Sequence, residues 1–189
     1  MLSPQDRQLL AEDRRRFREW LQGGADRPLT MPRHDGYAPR RVLWPTVFSR
    51  IRQDLRSAAV LLINMLPVSP PKVFLYRLLG MKIGRSVYIA PGVLMDPLYP
   101  ALITLEDCCF LGVGCRLLTH EITAGNFRLG RIRVCRGAVV GGFATVRSGV
   151  TVGARATVGF NSFVNRDVPE GTTVAGVPAR PLTSSEEPE

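Results

Sequence analysis

Between Val134 and Pro169 the chain keeps an unbroken six-residue phase. Cut in sixes, the stretch reads VCRGAV VGGFAT VRSGVT VGARAT VGFNSF VNRDVP. Valine opens every block, at Val134, Val140, Val146, Val152, Val158 and Val164. The fifth place is always small or β-branched: Ala138, Ala144, Val150, Ala156, Ser162 and Val168. Glycine takes the second place at Gly141, Gly153 and Gly159. A hexapeptide period is the signature of a parallel β-helix. Each block is expected to be one short strand with its turn, and three blocks one coil. The first place then points into the core from a flat face. The fifth points inward near a corner, where only a small or branched side chain fits.

The phase reaches back to Ile83. Ile83, Ile89 and Met95 share it, as do Leu105, Leu111 and Leu117, with Val87, Val93, Cys109 and Cys115 at the fifth place. About five coils are expected between Ile83 and Pro169. The phase fails twice. From Met95 to Leu105 the step is ten residues, so four extra residues sit within 96–104. From Leu117 to Val134 it is seventeen, so a loop leaves the helix within 121–133. Both breaks flank the segment ending in Leu118-Thr119-His120. A rigid scaffold interrupted at two neighbouring places is where function is expected.

The 189 residues suffice for one domain with an appendage. The net charge of +9 comes almost wholly from arginine, Lys72 and Lys82 being the only lysines. Such a surface favours anionic partners. Nucleic acid is not expected, because no basic cluster is interleaved with aromatics in a binding module. The four cysteines form no CxxC pair, and Cys109 and Cys115 fall on core places, so they are read as core thiols. Together with a start that lacks a signal peptide, this points to a reducing cytoplasm. The apolar run 58–68 is too short to span a bilayer and is broken by Asn64 and Pro67.

Residues 1–80 read as a helical and proline-rich N-terminal extension, 81–182 as the β-helix, and 183–189 as an acidic tail. A first helix is expected from a Ser3 cap to Gln22, stopped by Gly23-Gly24. Residues 25–45, with Pro28, Pro32, Pro39 and Pro45, read as an extended linker. A second helix spans about 46–66, its apolar face carried by Phe48, Ile51, Leu55, Ala58, Leu62 and Met65. A short third helix follows Ser69-Pro70-Pro71 and ends at Gly80. Three readings of 46–80 stand: a cap over an open end of the β-helix, a basic amphipathic element on a membrane surface, or a partner-binding surface. Of these the cap leads.

The pattern resembles the hexapeptide-repeat acyltransferases, closest to the galactoside, maltose and nodulation-type O-acetyltransferases and the polysaccharide acetyltransferases. The resemblance covers about 77–182. Its specific pieces are Leu94-Met95-Asp96, Leu118-Thr119-His120, and Asn165-Arg166-Asp167-Val168-Pro169 followed by Ala175-Gly176-Val177-Pro178-Ala179-Arg180. It implies a mainly β fold, a left-handed parallel β-helix with an α-helical N-terminal extension. It implies acetyl-CoA as acyl donor and a homotrimer with active sites between subunits. His120 is then the general base, a role imidazole suits at neutral pH. Asp96 matches an acid of the acceptor site; it could orient His120, bind substrate hydroxyls, or merely start the turn at Pro97. Glu121 is a second candidate acid. On the donor side the matching residues are Gly142, whose amide could meet an oxyanion, Phe160, and Arg166 and Arg180 for CoA phosphates. Phe160-Asn161 departs from the family's small Ala-Gly, and Val139 from a frequent tryptophan, so channel shape and acyl-group size are open.

The expected activity is therefore transfer of an acyl group from CoA to a hydroxyl of a sugar, polysaccharide or glycosylated metabolite. An N-acetyl- or serine-type acetyltransferase would use the same base. A non-catalytic scaffold or adaptor would keep the coils and dispense with the site. Carbonic anhydrases of this fold need three histidines on zinc; His34 and His120 are the only two here, so no metal is expected. Residues 46–80 leave room for peripheral contact with the inner face of a membrane.

Overall fold

The computed structural model describes residues 4–23, 27–32, 47–123 and 125–182. The expected Ser3 cap, His34 and the acidic tail lie outside them. The body is a three-sided stack of two- and three-residue parallel strands. One face holds β2 (Lys82–Ile83), β5 (Ile103–Leu105), β10 (Ile132–Val134) and β13 (Thr151–Val152). The next holds β3 (Tyr88–Ile89), β6 (Phe110–Leu111), β11 (Val139–Val140), β14 (Thr157–Val158) and β16 (Thr173–Ala175). The third holds β4 (Leu94–Met95), β7 (Arg116–Leu117), β12 (Thr145–Val146) and β15 (Phe163–Val164). A final strand, β17 (Arg180–Pro181), turns back antiparallel onto β16.

Six-residue phasing dictates this register. Val140 stacks between Leu111 and Val158, and Val146 between Leu117 and Val164, each pair one coil apart. All six first-place valines and all six fifth-place residues of the run are buried. The fourth place supplies the bend: Gly137, Phe143, Gly149, Arg155 and Asn161 all take positive φ. Second-place glycines let the coils close on one another. A Cβ on Gly141 would lie 2.6 Å from the Val158 carbonyl oxygen and 2.8 Å from the Phe160 nitrogen, both backbone atoms that cannot swing aside. Gly141→Ala is therefore expected to cost about 1–3 kcal/mol, read as a lowered melting temperature; an unchanged one would contradict this packing.

Helix α2 (Val47–Met65) and helix α3 (Ser69–Leu78) close the first coil. Their arrangement corrects the sequence expectation. Ile51, Leu55, Leu62 and Met65 of the apolar face are 53%, 68%, 66% and 79% exposed, while Gln53, Val60, Ile63 and Asn64 face inward. The reason lies in what the first coil presents. Its outer edge carries unpaired backbone groups, and a cap must answer them with donors and acceptors. Asn64 Oδ1 accepts from the Met95 N–H and Asn64 Nδ2 donates to the Met95 carbonyl, while Ser69 Oγ accepts from the Ile89 N–H. Lys72, fully buried, donates to the Ala90 carbonyl at 3.0 Å, and burial lowers its pKa. Tyr76 ties the two helices together through Asn64.

The proline-rich stretch departs from expectation as well. Its described part, β1 (Leu29–Pro32), is a strand paired antiparallel with β9 (Asn126–Leu129), which itself pairs with β8 (His120–Ile122). The loop expected within 121–133 is thus a hairpin, extended to three strands by the N-terminal segment. Helix α1 (Pro4–Gln22) packs over it: Trp20, Leu29, Met31, Leu102, Phe127 and Leu129 form a second core, with Phe17 and Tyr99 against it. Trp20 Nε1 donates to the Arg27 carbonyl, and the Arg131 guanidinium sits 4.7 Å over the Trp20 ring.

Candidate active site

Where the phase first breaks, the chain turns at Asp96 and passes through a short 3-10 helix (Pro100–Leu102) before rejoining the stack. One coil later, Thr119 and His120 leave the same corner to enter β8. Stacking thereby brings Asp96 beneath Thr119 and His120. Asp96 is completely buried. Its Oδ2 accepts from the Thr119 N–H and Oγ1–H, both at 2.8 Å, and from the His120 N–H at 3.1 Å. The same oxygen lies 2.6 Å from His120 Nδ1. Oδ1 accepts from the N–H groups of Leu98 and Tyr99 at 2.8 and 3.3 Å, closing the turn after Pro97. Orientation of His120 and initiation of the turn, alternatives from the sequence alone, are two oxygens of one carboxylate. Contact with substrate hydroxyls has no acceptor left to use.

A carboxylate is an acceptor only, so its neighbour Nδ1 carries a proton, and whenever the ring is neutral the lone pair falls on Nε2. The imidazole is 21% exposed. It is walled by Tyr99, edge-on at 6.0 Å, and by Phe127, stacked at 6.4 Å. Both rings belong to the second core, so helix α1 and β1 support the wall against which the histidine rests. Neither Tyr99 nor Phe127 is visible as a site residue in the sequence; the signal available was their place inside the two phase breaks.

Burial works against ionisation of Asp96, but the hydrogen bond and charge of His120 and the bonds from Thr119 and Leu98 outweigh it and hold the pKa below the ordinary 3.8. A folded pKa below the unfolded one means that the ionised form contributes stability in full above 3.8. That contribution is lost as pH falls through the folded value. Thermal melts are therefore expected to show an acid drop below about pH 4 that is smaller in Asp96→Asn; identical acid profiles would contradict the cage.

Glu121 does not join His120. Side chains alternate along a strand, and Glu121 lies on the other side of β8, where Arg147 Nε donates to both carboxylate oxygens at 2.9 and 2.8 Å and Ser148 Oγ adds a further bond. It anchors the hairpin to the coil above.

The donor-side residues divide between corners. Gly142 follows β11 and Phe160 follows β14, so both lie at the corner between the second and third faces. Gly142 is buried, and a Cβ on it would lie 2.9 Å from the Phe160 ring, which is itself 78% exposed. Arg166 follows β15 and shares the corner of Asp96 and His120, two coils beyond His120, or about 10 Å along the stack. Arg180, in β17 against the second face, is exposed and donates to its own neighbour, the Ala179 carbonyl. His120 and Gly142 thus occupy different corners of one chain. All four cysteines are free, and burial pushes Cys109 and Cys115 up to about 11 and about 12. Among the described residues, no three His, Cys, Asp or Glu side chains cluster in a way that could hold a metal ion.

A stacked hexapeptide body with a buried carboxylate behind a histidine defines a class of protein, and comparison with known proteins gives its family. No family model matches the chain. A Bacillus subtilis protein classed among the acetyltransferases, YvoF, is 32% identical over 117 residues, covering 61% of this chain and 68% of its own length. Serine acetyltransferase 2 of Arabidopsis thaliana is 29% identical over 114 residues, 57% of this chain but only 34% of that protein. Among solved structures, the hexapeptide-repeat acetyltransferase VCA0836 of Vibrio cholerae, in complex with acetyl-CoA, superposes with a TM-score of 0.62 at 25% identity, covering 75% of this chain and 91% of that one. A maltose O-acetyltransferase of Clostridium difficile reaches 0.58 at 17% identity, over 76% and 91% of the two chains, a likeness of fold. The chain belongs to the hexapeptide-repeat acetyltransferases, and its β-helix is the left-handed one of that family.

Proposed function

We propose that the protein transfers an acetyl group from acetyl-CoA to a hydroxyl of a sugar, polysaccharide or glycosylated metabolite, with His120 as general base. The observation that carries this reading is the 2.6 Å contact between Asp96 Oδ2 and His120 Nδ1 inside an otherwise satisfied cage. Nε2 takes the hydroxyl proton as the oxygen attacks the thioester carbonyl. A tetrahedral intermediate forms, the C–S bond breaks, and His120 returns the proton to the departing CoA thiolate. Asp96 holds the tautomer and balances the imidazolium while it exists.

The donor reading is supported by the acetyl-CoA complex of VCA0836. Gly142 and Phe160 would line the pantetheine path, with the Gly142 N–H as oxyanion donor, and Arg166 and Arg180 would meet the phosphates. Because His120 and Gly142 sit at different corners, the reading requires a homotrimer in which one subunit's His120 corner faces the next subunit's Gly142 corner. Thiol release from acetyl-CoA, assayed with glycan, amine and lipid-linked glycan acceptors, tests it. Release dependent on a hydroxyl acceptor is expected; no release with any acceptor, together with no CoA binding, would favour a scaffold.

A further inference from the structure

Capping the first coil uses only the inner sides of α2 and α3. Their outer sides are apolar and are covered by no described residue: Leu55, Leu62, Met65, Phe74 and Leu78 are 61–79% exposed, and Ile51 and Val68 are more than half exposed. On α2 these residues recur at Ile51, Leu55, Leu62 and Met65, one continuous stripe; on α3, Phe74 and Leu78 are one turn apart. Among the described helices the stripe on α2 is the most regular amphipathic pattern, and it is exposed. No described helix is long and apolar enough to cross a membrane.

Charge selects among occupants. Residues 47–95 hold seven arginines and lysines against one acid, Asp54. Arg52, Arg77, Lys82 and Arg85 are exposed on or beside the two helices. A second copy of this face would bring like charges together, whereas an anionic lipid surface takes both the apolar stripe and its basic surround. The stripe is also coupled to the candidate site. On the inner side of α2, Gln53 Nε2 donates to the Leu98 carbonyl at 2.7 Å, and the Leu98 N–H in turn donates to Asp96.

We propose that the outer faces of α2 and α3 dock on an anionic bilayer surface and that the acyl acceptor is presented from that surface, its lipid end in the membrane. The docking stands on the helices alone. The second clause rests on the acyltransferase reading and makes the acceptor a lipid-linked or lipid-borne hydroxyl compound.

The test is co-sedimentation of the full chain with phosphatidylcholine vesicles, with and without about one-third phosphatidylglycerol, without acyl donor. Binding to the anionic vesicles, weakened by salt, is expected. Leu55→Glu/Leu62→Glu should lower that binding by at least about tenfold, with circular dichroism and oligomeric state unchanged. Phe74→Glu, on the other helix, provides a second variant and should act in the same direction. No binding to anionic vesicles, equal binding by these variants, or a higher assembly that the variants dissolve would overturn the docking. Thiol release with soluble acceptors alone, from a chain that does bind vesicles, would overturn only the second clause, and absence of vesicle binding would leave the acetyltransferase reading intact.

Discussion

His120→Ala is expected to lower kcat by about 10²–10⁴-fold, the contribution of a positioned general base, while CoA binding measured by calorimetry stays at the wild-type value. The two readouts separate because none of the proposed donor contacts adjoins His120: Gly142 and Phe160 lie at another corner, Arg166 lies two coils further along the stack, and Arg180 is in β17. Removing the imidazole also leaves the fold standing. The side chain is 21% exposed, and Asp96 retains the Thr119, Leu98 and Tyr99 bonds without it. Turnover unchanged in this variant would remove His120 from the mechanism.

Asp96→Asn carries the second large effect, and the cage explains why so small a change is severe. Oδ2 faces the Thr119 N–H, the Thr119 hydroxyl, the His120 N–H and Nδ1; Oδ1 faces the N–H groups of Leu98 and Tyr99. Whichever way an asparagine amide is turned, its NH2 meets donors. A stability loss of about 1–3 kcal/mol is expected from the unpaired groups. Because the neutral amide cannot balance the imidazolium, and turns its NH2 toward Nδ1 in one of its two orientations, kcat should fall by about 10²–10⁴-fold. A purely structural aspartate would lose stability and keep kcat per folded molecule. As a positioning residue, Asp96 acts through His120, so the double variant should be no slower than His120→Ala alone. Additive losses would separate the two residues.

The body of the fold was legible because a β-helix repeats one environment. Val134 through Val164 point into the core from the three flat faces in turn, and a side chain that suits one coil suits the next. Even the thiols obeyed, Cys109 and Cys115 taking buried corner places. The candidate site shows in the sequence as an interruption, and Asp96 and His120, twenty-four residues apart, are brought together by stacking one coil on another. What escaped the sequence was each place where the rule of an apolar inside does not hold. On α2 the inner side answers backbone groups of the first coil, so Gln53 and Asn64 are buried and the leucines are not. The proline-rich stretch became a strand because β9 offered an open edge, which local composition does not reveal. Glu121 follows His120 directly, and strand alternation sends it to Arg147 on the opposite side.

In the proposed chemistry the Asp96–His120 pair deprotonates a hydroxyl as it attacks acetyl-CoA. The measurement that tests it most directly is the mass of the acceptor after incubation with acetyl-CoA labelled in its acetyl group, for the wild type beside His120→Ala. The expected result is a labelled product whose acetyl is released by hydroxylamine, as an ester is, and which is nearly absent in the variant. An acetyl that resists hydroxylamine as an amide does, or equal labelling by both proteins, would contradict it.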